Sequence, residues 1–180
     1  MTDFTEKTLK VTNIFKGRII DLNVHDITLP NGKKSKREIV NHPGAVAVIA
    51  VTDDNKMILV TQYRKALEKT IAEIPAGKLE KGEESLSCAK RELEEETGIT
   101  AEKWTSLGSF YTSPGFADEK LYLYLAEDLK EGIINTDEDE FVEMFEVTLS
   151  EAEELMKKEI IHDAKTVFAV QYLQLRGQGR

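Results

Sequence analysis

From Gly44 onward the chain separates into dense apolar runs and charged stretches, whereas the segment before it barely sorts the two apart. Over residues 8–41, Lys16 to Leu22 and His25 to Leu29 alternate weakly, and Asn31-Gly32 offers a hairpin turn before Ser35 to Val40. These read as short strands with little apolar mass of their own. Such a region must pack on something else, either the main domain or a second subunit. Ala45 to Val51 is then a continuous, β-branched-rich apolar run, the pattern of a strand covered on both faces. Asp53-Asp54-Asn55 makes a turn and Met57 to Gln62 returns, so the two strands are expected to form a hairpin. Pro75 restricts Ile74 to an extended conformation, so Thr70 to Gly77 enters its glycine as strand or loop.

The period changes at Glu84. Leu86, Ala89 and Leu93 recur at helical spacing, and Gly98 supplies a left-handed stop, which predicts a helix over Glu84–Thr97. Trp104 to Tyr111 and Lys120 to Ala126 read as strands flanking the turn-forming loop Thr112-Ser113-Pro114-Gly115-Phe116. Residues 127–140 are acidic and loop-like, and Phe141 to Thr148 is another strand. Ser150 with Glu153 suggests a capping box opening a helix to about Lys158, and a last helix begins near Asp163 with Val167, Val170 and Leu173 inward. Hairpins interleaved with helices indicate an α/β chain in which helices sandwich a mixed sheet.

Composition narrows the function classes. The chain has 180 residues, 41% hydrophobic and 32% charged, as expected of a single folded globular protein. Its net charge of −9 argues against nucleic acid or an acidic membrane surface as a partner held by bulk attraction. No apolar run approaches a membrane span, the N-terminus lacks a signal-peptide core, and the single cysteine allows no internal disulfide, so the expected location is the cytoplasm. Cys88 lies mid-helix beside Ala89 and reads as a small buried filler.

The helix ends in an excess of carboxylates: Glu92, Glu94, Glu95 and Glu96. Glu92 and Glu96 share one face, and like charges at that spacing cost an isolated helix about 0.2–0.5 kcal/mol. A solvated acidic face is the ordinary explanation. A divalent cation is the functional one. Magnesium takes hard oxygen ligands and is usually held by one or two carboxylates plus substrate phosphates. Glu92 and Glu96 offer two such oxygens, Glu95 lies adjacent, and Arg91 can keep a neighbouring carboxylate ionised and aimed. Gly77 and Gly82 would allow a tight loop that brings the Ala76 carbonyl to the same point.

The full spacing decides between these readings. Gly77, five residues, Glu83, seven residues, Arg91-Glu92-Leu93, one residue, Glu95-Glu96, one residue, Gly98-Ile99 resembles the Nudix box at all nine specified positions. What the resemblance implies is a Nudix hydrolase: an α/β/α sandwich with a mixed central β-sheet that cleaves a nucleoside diphosphate linked to another group. It implies two to three Mg2+ ions, with Mn2+ as an alternative. Glu92 and Glu96 would be the main ligands, Glu95 a further ligand with a catalytic part, and Ala76 would offer its carbonyl. Glu83 would buttress the loop through Arg91.

Outside the box, Pro114 lies sixteen residues beyond Gly98, which looks like the ADP-ribose pyrophosphatase subgroup. Arg37-Glu38, Gln62-Tyr63-Arg64, Glu73 to Gly77 and Asp163-Ala164-Lys165-Thr166 look like that subgroup too, extending the resemblance from about Phe15 to Leu175. It implies a catalytic base in the acidic loop, Glu138, with Glu140 as an extra metal ligand; Asp137 and Asp139 are rivals. It also implies substrate contacts from Phe15, Arg37, Glu38, Arg64, Glu73, Pro114, Gly115 and Glu119. A planar guanidinium suits phosphate, which makes Arg37 and Arg64 the natural anchors. The subgroup is typically homodimeric, so residues 1–42 are expected to dimerise and 43–180 to form the hydrolase domain. The expected reaction is hydrolysis of ADP-ribose to AMP and ribose 5-phosphate. The alternatives are another nucleotide sugar such as GDP-mannose, a dinucleoside polyphosphate, or a non-catalytic nucleotide-sugar sensor.

Overall fold

The computed structural model describes residues 2–132 and 141–178. Its architecture is α+β with multiple sheets. The chain divides into two compact units, one formed by residues up to Gly44 with Phe110–Leu121, the other by Ala45–Ser109 with the chain from Tyr122 onward.

In the first unit β1 (Lys7–Lys16), β2 (Asp21–Thr28) and β3 (Lys34–Asn41) form an antiparallel meander. The strand expected over Lys16–Leu22 is a turn at its centre, closed by the Gly17 N–H donating to the Ile20 carbonyl at 2.9 Å. β1 is solvent-exposed along its whole length, with Leu9, Val11, Ile14 and Phe15 outward. The segment Phe110–Leu121 joins this unit through a turn, in which the Ser113 carbonyl accepts from the amides of Phe116 and Ala117. A parallel bridge then links Val40 to Ala117.

The second unit carries two further sheets. β4 (Ala45–Ala50) lies between β7 (Ala76–Lys78) and β9 (Lys120–Glu131), with β8 (Ile99–Tyr111) outside β9. β5 (Met57–Arg64) lies between β10 (Glu143–Val147) and β6 (Lys69–Glu73). All six residues of β4 are buried, as a strand without a polar face should be. The expected β4–β5 hairpin does not form: β4 and β5 lie in different sheets, and the chain pairs between them through the isolated bridge Val51–Met57, just beyond β4. The Thr52–Lys56 turn, with Asn55 at φ 61°, sends them into different sheets.

Helix α1 (Ser85–Thr97) presses Cys88, Ala89 and Leu93 into a core made with Val46, Val48, Ala50, Ile58, Tyr124 and Ala126. Full burial of a leucine such as Leu93 is worth about 1.5–3 kcal/mol. Gly98 closes α1 at φ 66°, its N–H donating to the Glu94 carbonyl at 2.8 Å.

Two further expectations are corrected. The acidic stretch after residue 126 is not all loop, because β9 runs on to Glu131. Its charges are cross-strand partners: Glu127 pairs with Lys103 at 2.9 Å, and Lys130 with Glu102. The capping box sits two residues earlier than expected. Thr148 and Glu151 cap α2 (Leu149–Lys157), because Ser150 already lies inside the helix. Helix α3 (Ala164–Gln178) follows, with Ala169 and Val170 fully buried.

Candidate active site

β7 pairs antiparallel with β4, setting Ala76 opposite Ala47 and Gly77 opposite Val46. Gly77 is thus a strand residue, not the loop hinge its sequence suggests. Its role is steric. A Cβ built there would lie 1.8 Å from Cδ of Glu92, so only glycine lets the helix carboxylate reach the strand. Gly82, at φ 82°, is the turn glycine.

Arg91 is the hub of the α1 cluster. Its Nε and Nη2 donate to the two carboxylate oxygens of Glu83, both at 3.0 Å. Its Nη1 donates to Glu92 Oε1 and Glu95 Oε2, both at 2.9 Å. The guanidinium therefore fixes three glutamates that come from a turn and from two turns of helix. The hydrogen bonds from Arg91 hold the Glu83 carboxyl down at about 2, against an ordinary 4.5. The same bonds raise the Arg91 pKa. Glu92 and Glu96 are buried, and Glu96 Oε2 accepts the Ala76 N–H at 3.0 Å.

The donor set of Glu92, Glu95, Glu96 and the Ala76 carbonyl is all oxygen, which fits a hard divalent cation. Among the described residues no three His, Cys, Asp or Glu side chains gather closely enough to cage an ion by themselves. Cys88 is buried in the same helix, and burial first, then nearby Glu83 and Glu92, pushes its thiol up to about 12. It is a protonated filler at neutral pH.

Arg64 and Glu73 form a second cluster in the same unit. Arg64 Nε and Nη2 reach the two Glu73 oxygens at 2.6 and 2.9 Å. Lys165 donates to Glu73 as well, and to Asp163 Oδ1 at 2.9 Å. Glu73 is only 2% exposed, so in this structure it faces two cations rather than an open site. The Glu73–Lys165 pair is absent from the sequence reading. The available signal was Glu73 itself, a carboxylate between apolar Ala72 and Ile74, which must have a cationic partner when buried.

The remaining candidates lie in the first unit. Phe15 is exposed on β1. Arg37, on β3, has Nε donating to Glu6 at 3.0 Å, and neighbouring Glu38 is exposed. Pro114 and Gly115 are exposed in the turn, and Glu119 accepts from the Thr112 hydroxyl. Glu138 and Glu140, with Asp137 and Asp139, lie outside the described residues.

The NUDIX domain model matches residues 41–169. The chain is 60% identical over 178 residues to the ADP-ribose pyrophosphatase of Bacillus subtilis (strain 168), covering 98% of this chain and 96% of that one. It is also 60% identical over 175 residues to the methanol dehydrogenase activator of Bacillus methanolicus, covering 96% and 95%. A crystal structure of an ADP compounds hydrolase superposes with a TM-score of 0.84 at 25% identity, covering 97% of this chain and 96% of that one. With the box complete from Gly77 to Ile99 and a family match over most of its length, the chain belongs to the Nudix hydrolase family.

Proposed function

We propose that this chain is an Mg2+-dependent ADP-ribose pyrophosphatase, hydrolysing ADP-ribose to AMP and ribose 5-phosphate. The near-full-length likeness to the Bacillus subtilis ADP-ribose pyrophosphatase carries the choice of substrate. Glu92, Glu95, Glu96 and the Ala76 carbonyl would hold two to three ions, with Mn2+ able to replace Mg2+. Such ions, when bound, neutralise phosphate charge and acidify a water. Arg91 aims Glu92 and Glu95. Glu138 takes the proton of the attacking water as the water oxygen bonds to phosphorus and the bridging P–O bond breaks. Glu140 adds a ligand, and Asp137 and Asp139 are the rival bases.

Arg64 and Arg37 bind phosphate or ribose, and Phe15 stacks on adenine. Glu38, Pro114, Gly115 and Glu119 complete the substrate surroundings, and buried Glu73 takes part by holding Arg64. Residues 1–42 act as the dimerising region and 43–180 as the hydrolase domain; the exposed apolar side chains of β1 support a second copy as the partner. The cytoplasm is the proposed location. A lone cysteine supports it, and no helix among the described residues is long and apolar enough to cross a membrane.

A substrate panel under one metal condition tests the assignment. ADP-ribose is expected to have the highest kcat/KM, and a higher value for GDP-mannose or a dinucleoside polyphosphate would replace it. The equally similar methanol dehydrogenase activator favours a second reading, in which the chain raises the activity of an alcohol dehydrogenase. Stimulation of a purified methanol dehydrogenase by the wild type but not by Glu92→Gln would support that reading and tie it to the same chemistry.

A further inference from the structure

We propose that Lys165, supported by Asp163, is a positioning residue that sets Arg64 for its ligand through the buried carboxylate of Glu73. The proposal rests on the reading of Arg64 as a phosphate or ribose contact. Three elements meet here. Arg64 ends β5, Glu73 ends β6, and Asp163 and Lys165 flank the first residue of α3. Two cations and two anions make a neutral quartet, and its members are mostly shielded: side-chain exposure is 41% for Arg64, 2% for Glu73, 14% for Lys165 and 18% for Asp163.

The bonds within the quartet are unequal. Arg64 commits Nε and Nη2 to Glu73, one to each oxygen, which fixes the plane of its guanidinium. Its Nη1 has no hydrogen-bond partner among the described residues. Glu73 could not do this alone. Burial pushes its carboxyl up, and the hydrogen bonds and charges of Arg64 and Lys165 together bring it below the ordinary value. Lys165 also neutralises Asp163, whose Oδ1 it shares with the Thr166 N–H. Asp163 Oδ2 is buried with no hydrogen-bond partner among the described residues, and its charge is felt at Arg64, as is that of Glu96.

Removing the Lys165 ammonium leaves two shielded carboxylates facing one guanidinium. Asp163 then competes for Arg64, and the two-point grip on Glu73 loosens. The backbone need not follow. β6 and the residue after it are tied to the chain before and within α3 by the Ala72 N–H donating to the Ile160 carbonyl at 2.9 Å and the Ile74 N–H to the Thr166 hydroxyl at 3.0 Å. Neither bond uses Lys165. Its loss should therefore disturb the aim of Arg64 more than the position of the strand.

The test compares wild type, Lys165→Met, Lys165→Arg and Arg64→Met. The Arg64 Nε–H resonance, assigned by its loss in Arg64→Met, reads positioning without substrate. It should exchange slowly in wild type, be lost in Lys165→Met and return in Lys165→Arg. Calorimetric binding of ADP-ribose without metal reads the consequence: the Kd of Lys165→Met should rise about tenfold, the effect of a contact misplaced by part of an ångström. With Mg2+, KM should rise by a similar factor while kcat changes less. The double variant should bind no worse than Arg64→Met alone, because both act through one contact. An unchanged Nε–H signal in Lys165→Met overturns the proposal, as does an unchanged Kd or losses that add in the double variant. A wild type that neither binds nor cleaves ADP-ribose defeats the substrate reading instead, and the resonance then decides positioning by itself.

Discussion

A methyl group added at Gly77 would lie 1.8 Å from Cδ of Glu92 and 2.0 Å from its Oε1. The obstacle is the end of a flexible side chain, so the fold can survive Gly77→Ala while the carboxylate moves aside. We expect a melting temperature close to wild type and kcat/KM lower by about 100-fold, the scale of a 1 Å misplacement. Wild-type kinetics would show that Glu92 need not lie against the strand. The neighbouring Arg91–Glu83 pair predicts a pH dependence. Glu83 titrates at about 2 when folded and near 4.5 when unfolded. A depressed carboxyl contributes stability above its unfolded pKa, and that contribution is lost as pH falls through the folded one. Thermal melts should therefore lose stability between 4.5 and about 2, and Glu83→Gln should lose less over that range. Equal losses in the two proteins would contradict the pair's role. The cluster around Arg91 was legible in the sequence because its members lie within eight or fewer residues of it. The Lys165–Glu73 pair was not, because 92 residues separate its members and nothing local links them.

Helix α1 was legible because it obeys three local rules at once: an apolar stripe, a bounded length and a glycine stop. Gly98 adopts φ 66°, where an L side chain costs about 1–2 kcal/mol. Gly98→Ala should lower stability by that amount in chemical denaturation, and no loss would mean the cap can rearrange. Where local rules tied, the sequence misled. Thr148-x-x-Glu151 and Ser150-x-x-Glu153 are equally good capping boxes, and only the preceding strand's end at Val147 selects the first. β4 and β5 look like a hairpin because the turn between them is good. Their partners β7, β9, β10 and β6 decide which sheet each joins, and those pairings are long-range. The charges of β9 read as loop because their partners, Glu102 and Lys103, sit on another strand.

At the scale of the whole molecule, the weak hydrophobic pattern of the first forty residues became an exposed strand rather than a second core. Leu9, Val11, Ile14 and Phe15 are each more than half exposed, which supports the proposed interface with a second copy. Light scattering should give twice the monomer mass, and replacing Leu9 and Val11 with serine should lower it; a monomeric wild type would contradict the proposed dimer. The family was legible from a short stretch because metal and pyrophosphate chemistry needs several carboxylates on one rigid helix, which sequence spacing records directly. The substrate was legible only through a looser resemblance, because its candidate contacts are scattered from Phe15 to Glu119 and no local spacing links them. The most direct test is release of AMP from ADP-ribose with Mg2+, with EDTA, and with a folded Glu92→Gln variant. The account predicts AMP and ribose 5-phosphate in the first case alone. No AMP with Mg2+ or Mn2+, or a full rate from Glu92→Gln, would contradict it.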